Sequence, residues 1–105
     1  MIKKAIQIDS NDNVATTTSH GVAGEQIDVL NPNGDIIHEI NPSENVNFGH
    51  KIALKNFEID DEIIKYGEII GVASKPIKLG DWVHTHNVNS ARMHTSGENV
   101  RGITS

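Results

Sequence analysis

Six histidines, at 20, 38, 50, 84, 86 and 94, are the side chains of this 105-residue sequence best placed to titrate or ligate near neutral pH. Two of them form His84-Thr85-His86. In an extended segment, residues i and i+2 share a face with Cα atoms about 6.6 Å apart, so both imidazoles could address one spot. Imidazole binds zinc, iron, manganese or nickel, and two rings from one strand would supply half a metal site. The same spacing fits two half-exposed strand histidines that bind nothing.

His50 lies in Gly49-His50-Lys51, where a glycine permits a tight turn and Lys51 offers a charge to a carboxylate. On its own, a plain surface-loop histidine is the simpler account. In Lys65-Tyr66-Gly67, the lysine could anchor an anion and the tyrosine could donate a hydrogen bond. A strand-end lysine and a core-edge tyrosine explain the run as well. Trp82, beside the histidine pair, reads as a core residue, and His20, His38 and His94 carry no assignment. Gly49, Gly67, Gly71 and Gly80 read as turn or bulge residues, since none opens a helix at phosphate-loop spacing. No Ser-His-Asp order, paired glutamates or Walker signature is present. So few convergent groups suit a binding module, or one part of a divided active site.

The elements that would hold these residues are short strands. Ile2 to Ile8 alternates with Ile2, Ile6 and Ile8 on one face. Asp9-Ser10-Asn11-Asp12-Asn13 is a cluster of turn and cap residues, and a brief helical turn is expected from Val14 to Thr18. Glu25 to Leu30 and Asp35 to Ile40 read as a hairpin around Asn31-Pro32-Asn33-Gly34. Lys51 to Leu54, Glu62 to Tyr66, Ile69 to Ala73 and Trp82 to His86 follow as further strands. Such short, evenly spaced strands describe a compact sandwich or barrel. Residues 1–88 would form this domain and 89–105 a polar C-terminal tail.

Composition agrees with an all-β domain. The chain has 15 Ile and 8 Val against 3 Leu, and aromatics make up only 4% of it, so the core must be aliphatic and β-branched. Nine basic against fourteen acidic residues leave a net charge of −5, which argues against nucleic acid or a membrane surface as partner. No apolar run approaches the ~18 residues of a membrane span, and the first residues lack a secretory h-region. With no cysteines there is no disulfide scaffold or thiolate site, and a cytoplasmic location is expected.

Several segments taken together are more specific than any one of them. Gly49-His50-Lys51-Ile52-Ala53-Leu54, Ile64-Lys65-Tyr66-Gly67, Ile70-Gly71 and Gly80-Asp81-Trp82-Val83-His84-Thr85-His86-Asn87 stand in order across 49–88. With Asp12-Asn13-Val14-Ala15 near the start, the chain resembles the SAF domain of the altronate and galactarate dehydratase family. The resemblance implies a compact β-clip with at most one short helix. It also implies membership of a lyase system that removes water from sugar acids such as altronate or galactarate, or sulfite from sulfolactate. In that family the domain is either the N-terminal part of a longer enzyme or a small subunit beside a large catalytic one. This chain resembles the small subunit, or a piece of a longer chain.

Elimination from a 2,3-dihydroxy acid needs a base at the carbon beside the carboxylate, and a Lewis acid or proton donor for the departing hydroxyl. The resemblance makes His50, His84 and His86 the catalytic candidates, with His84 and His86 as metal ligands. It makes Lys51, Lys65, Tyr66 and Asn87 the substrate-binding candidates. The implied cofactor is a divalent metal, iron(II), in the complete enzyme. The implied partners are a large dehydratase subunit, the sugar acid and further copies of the chain. On this reading the chain alone is not catalytic. Two other readings compete: a stand-alone module for small carboxylates, and a structural SAF protein of the flagellar or pilus type. The latter is disfavoured by the intact His-Thr-His-Asn run and the absence of an export signal. A neighbouring reading frame for a large dehydratase subunit would separate the first two.

Overall fold

A computed structural model describes residues 3–90 of the chain, so the expected tail lies outside the described residues from 91 onward. Nine strands make up the fold: β1 (Lys3–Ile6), β2 (Val14–Thr17), β3 (Ile27–Leu30), β4 (Ile36–Ile40), β5 (Lys51–Ala53), β6 (Glu62–Lys65), β7 (Glu68–Ala73), β8 (Trp82–Val83) and β9 (Val88–Ser90). Six form a sheet in the order β4-β3-β1-β2-β5-β8, and three form a second in the order β6-β7-β9. All pairings are antiparallel except β1 with β3. No helix occurs among the described residues, and none is long and apolar enough to cross a membrane.

Alternation along three strands feeds two cores at once. Ala15 of β2, Ile52 of β5 and Trp82 of β8 pack into a cluster with Ala5, Ile27, Val29, Ile40, Val46 and Leu54. Their neighbours Val14, Ala53 and Val83 pack into a second cluster with Phe57, Ile63, Ala73 and Ile77. A strand buried on both faces must be apolar at every position, which is why short Ile/Val/Ala runs suffice here. β2, β5 and β8 thus tie the large sheet to the small one.

The chain repeats one move four times. An isolated bridge residue or its equivalent, Gly21, Val46, Phe57 or Ile77, is followed by a tight turn and then by a stretch of chain leading into the next strand. The turns close with hydrogen bonds of Glu25 N to Val22 O, His50 N to Asn47 O, Asp61 N to Glu58 O and Asp81 N to Lys78 O. Each places a positive φ at its third residue: Gly24, Gly49, Asp60 and Gly80. The two pairs of bridges, Gly21 with Val46 and Phe57 with Ile77, fold the ribbon back on itself.

Several local expectations are corrected. The stretch from Val14 is strand, not a helical turn. Its β-branched residues pair with β1 and β5, while Asp9 caps the preceding turn by accepting from Asn11 N. β1 keeps the period of two but in the other phase: Ala5 and Gln7 point inward, whereas Ile8 is 41% exposed. Burial of Gln7 is tolerated because its amide donates to Asp12 O at 2.9 Å. β8 ends at Val83, so the histidine pair is not in a strand. β9 includes Asn89 and Ser90, which the sequence reading assigned to the tail.

Candidate functional site

The Asp-Asn-Val-Ala segment meets the Lys-Tyr-Gly turn across the molecule. Asp12 is buried, and its carboxylate accepts from Gly67 N at 2.8 Å and Asp9 N at 3.0 Å. Asn13 accepts from Ile64 N at 2.8 Å and donates to Glu62 O at 2.9 Å. These bonds fasten the start of β2 to the β6–β7 hairpin. The hairpin turns at Tyr66 and Gly67, both with positive φ, so the turn is of the primed type that matches strand twist. Lys65 ends β6 half-buried, with Nζ 4.9 Å from the Tyr66 ring centroid. Tyr66 itself is 61% exposed.

His84-Thr85-His86-Asn87 is a turn linking β8 to β9. Asn87 holds it: Nδ2 donates to Trp82 O at 2.9 Å, and Oδ1 accepts from His84 N at 2.9 Å. Its own N–H donates to His84 O and its carbonyl accepts from Ser74 N. Asn87, a substrate-binding candidate from the sequence, is buried, and both ends of its amide brace the turn through the backbone.

Three imidazoles surround one indole. His84 stacks on Trp82 at 5.2 Å and 11°, His86 lies 4.9 Å from it at 45°, and His50 meets its edge at 5.5 Å and 61°. His50 and His84 are 5.2 Å apart between centroids. The turn therefore does bring His84 and His86 to a common neighbourhood, around Trp82 and without extended geometry. Trp82 is only half-buried and belongs to this cluster as much as to the core. Among the described residues no group of three or more His, Cys, Asp or Glu is assembled to hold a metal. The described residues of this chain do not complete a metal site around His84 and His86.

Beside the cluster is a cleft of about 240 Å³ lined by Lys51, Ile70, His84, Thr85, Val88 and Ser90. Gly71 of β7 lets β9 close its floor, because a Cβ there would overlap the Asn89 carbonyl and a Val88 methyl. Burial, then repulsion from Lys65, lowers the pKa of Lys51 from its ordinary value. Among the described residues neither ammonium is paired with a carboxylate. Burial first, then the charges of Lys51, His50 and His86, lowers the pKa of His84. The cleft thus sets one lysine on an acidic chain beside His84, whose pKa is lowered.

Of the residues found by sequence reasoning, Lys51 and His84 line the cleft, His50, His84 and His86 surround the indole, and Lys65 lies near enough to repel Lys51. That reasoning missed Trp82 as a hydrogen-bonding member and the pairing of Lys51 with Lys65. The signal for the second was faint, since the two lysines lie in different sheets and only the topology makes them neighbours.

The fold defines a small β-clip domain of the SAF type. Residues 3–91 match the altronate/galactarate dehydratase SAF domain, and the chain belongs to that family. It is 33% identical over 89 residues to altronate dehydratase of Bacillus subtilis (strain 168), covering 85% of this chain but only 17% of that protein. It is 31% identical over 85 residues to (2R)-sulfolactate sulfo-lyase subunit alpha of Chromohalobacter salexigens, covering 80% of this chain and 90% of that subunit. Galactarate dehydratase (L-threo-forming) of Escherichia coli (strain K12) is 45% identical over 40 residues, 8% of its length. The chain is therefore a small fraction of the dehydratases and comparable in length to the lyase subunit.

Proposed function

We propose that this chain is the SAF component of a lyase acting on a hydroxylated small acid, a sugar acid such as altronate or galactarate or a sulfonated analogue. It contributes binding and proton-handling groups to a site that a large subunit completes. The observation that supports this most is Lys51, without a carboxylate partner, in the wall of a cleft it shares with His84 and close enough to Lys65 to be repelled by it. An unpaired, half-buried ammonium in a chain of net charge −5 is costly unless an anion completes it.

In this reading the substrate carboxylate lies against Lys51, with Lys65 adding charge. His84, whose pKa is lowered, takes the proton from the carbon beside the carboxylate. The C–H electrons become the new C=C bond as the neighbouring C–O bond breaks, and the departing hydroxyl takes up a proton to leave as water. His86 lies exposed on the indole, open to a large subunit. A divalent cation such as iron(II) would need donors from beyond the described residues, and no step here runs through one. The expected setting is cytoplasmic, like that of other sugar-acid metabolism.

Reconstitution tests this. The purified 105-residue chain should show no turnover of altronate, galactarate or sulfolactate, and turnover should appear on adding a large dehydratase-type subunit. In the reconstituted enzyme Lys51→Met should abolish it. Turnover by the chain alone would sink the divided site, and full activity of the Lys51→Met enzyme would sink the cleft. Acid binding that never becomes turnover with any large subunit would favour a stand-alone carboxylate-binding module.

A further inference from the structure

Trp82 Nε1 lies 3.1 Å from His50 Nδ1. An indole N–H can only donate, so the direction of this bond is not in question: Nδ1 must present a lone pair. In a neutral imidazole the single proton then sits on Nε2. We propose that Trp82 is a positioning residue that holds His50 as its Nε2–H tautomer, making His50 a hydrogen-bond donor to a ligand oxygen and denying it the role of base or cation ligand through that nitrogen. The assignment of a tautomer stands on the contact alone. The identity of the oxygen, a carboxylate or hydroxyl of a small acid, rests on the reading given under Proposed function.

Both partners are held where the bond requires them. The His50 backbone is fixed by Thr17, whose N–H donates to His50 O at 2.9 Å and whose hydroxyl lies 3.3 Å from His50 N. Trp82 is fixed at its carbonyl by Asn87 and at its ring by His84, stacked within 11° of parallel, and by His86. Rotating the indole away would break the stack on His84 and withdraw its packing against the Ile52 core. The contact is also selective among the three rings. His84 and His86 meet the indole through ring contacts, and the indole N–H goes to His50. The cluster therefore contains unlike imidazoles, one with its proton position set by a neighbour and two without that constraint. A division of labour follows: His50 can donate toward the ligand, while accepting a proton falls to another ring.

Nitrogen-15 NMR of the 105-residue chain at pH ~8, where imidazole is neutral, tests this without substrate or partner. His50 Nδ1 should resonate as unprotonated nitrogen and Nε2 as protonated, with a scalar coupling across the hydrogen bond to Trp82 Nε1. A protonated Nδ1, or no coupling to a Trp82 indole that is in slow exchange, would overturn the proposal. Removing the acceptor in His50→Ala should speed indole exchange about tenfold, the equivalent of one ordinary hydrogen bond. His50→Asn, whose Oδ1 stands close to where Nδ1 stood, should restore the protection while placing no donor where Nε2 was. Equal exchange rates in all three chains would also overturn it. Titration with galactarate then separates the two claims. A downfield shift of the His50 Nε2 proton is expected in the native chain, and tighter binding by native protein than by His50→Asn. If the acid binds with no effect on that proton and equally to both chains, the donor role fails. If no acid binds, with or without a large dehydratase-type subunit present, while the coupling is seen, the tautomer assignment holds and the carboxylate reading falls.

Discussion

Asp12 and Asn13 at one side of the molecule and Asn87 at another all commit their side chains to backbone groups, yet they do different work. The first pair reaches 49 to 55 residues along the chain to fasten the β6–β7 hairpin to β2. Asn87 reaches three and five residues back and braces a single turn. The former joins two sheets and their cores, whereas the latter sets the angle at which two imidazoles meet an indole. A polar motif can thus be architecture or scaffolding for chemistry, and the span of its hydrogen bonds tells which. Where a motif residue reaches far, its loss should unfold; where it reaches near, its loss should misplace.

The largest effect is expected at the clasp. Asp12→Ala leaves the N–H groups of Gly67 and Asp9 without their acceptor, and two charge-assisted bonds predict a loss of about 3 kcal/mol in urea unfolding. Asn13→Ala should cost about 2 kcal/mol, and the double variant should lose less than the sum because both bonds hold the same hairpin. A loss under ~0.5 kcal/mol at Asp12 would mean that the sheets hold together without the clasp. Next comes Asn87→Ala, expected to cost about 1–2 kcal/mol for two neutral hydrogen bonds. Its diagnostic is disproportion: the contacts of Trp82 with His84 and His86, read as ring-current shifts, should be lost although most of the stability remains. Intact ring-current shifts in Asn87→Ala would erase the distinction drawn above.

How much of this was legible in the sequence differs between the same regions. The aliphatic strands and the Asn31-Pro32-Asn33-Gly34 hairpin were readable because alternation and turn chemistry are local. That hairpin closes by Gly34 N donating to Asn31 O, with φ +87° at Gly34. The Val14–Thr17 strand was misread because capping residues precede it, and those residues serve a turn and a distant hairpin instead of a helix. The fourfold repeated turn was invisible, since a shared positive φ is carried by Gly24, Gly49, Gly80 and by Asp60. The histidines were found by type and by family pattern, but their arrangement depended on Asn87 bending the chain where an extended segment was expected. No local periodicity encodes that bend.

Within the cleft, Lys51→Met should weaken binding of a dicarboxylic sugar acid by about 10- to 100-fold, the range of one charge-assisted hydrogen bond. Stability should be unchanged or slightly raised, because burial and Lys65 both disfavour the Lys51 ammonium. Calorimetry on the two chains, with or without a large subunit, reads binding, and thermal melts read stability. If Lys51→Met instead unfolds the domain and leaves affinity intact in what remains folded, this lysine belongs with Asp12 and not with the cleft.

The smallest effect is the dependence of stability on pH through His84. Its folded-state pKa is lowered, by burial first and then by Lys51, His50 and His86, relative to an unfolded value near ~6.5. The unfolded chain therefore takes up this proton before the folded one as pH falls. Stability from this residue is fully present above ~6.5 and is lost as pH drops from there through the folded value. His84→Gln removes the group, so the native chain should show a steeper decline between pH ~7 and ~5 than the variant. Carboxylates titrate mostly below that window and are common to both chains, so the difference between the two curves isolates the imidazole. Because an added anion at Lys51 would offset the nearby positive charge, it should raise the His84 pKa and flatten the native decline toward that of the variant. Parallel curves, with and without galactarate, would mean that His84 is solvated like the exposed His86 and that the cleft does not desolvate it.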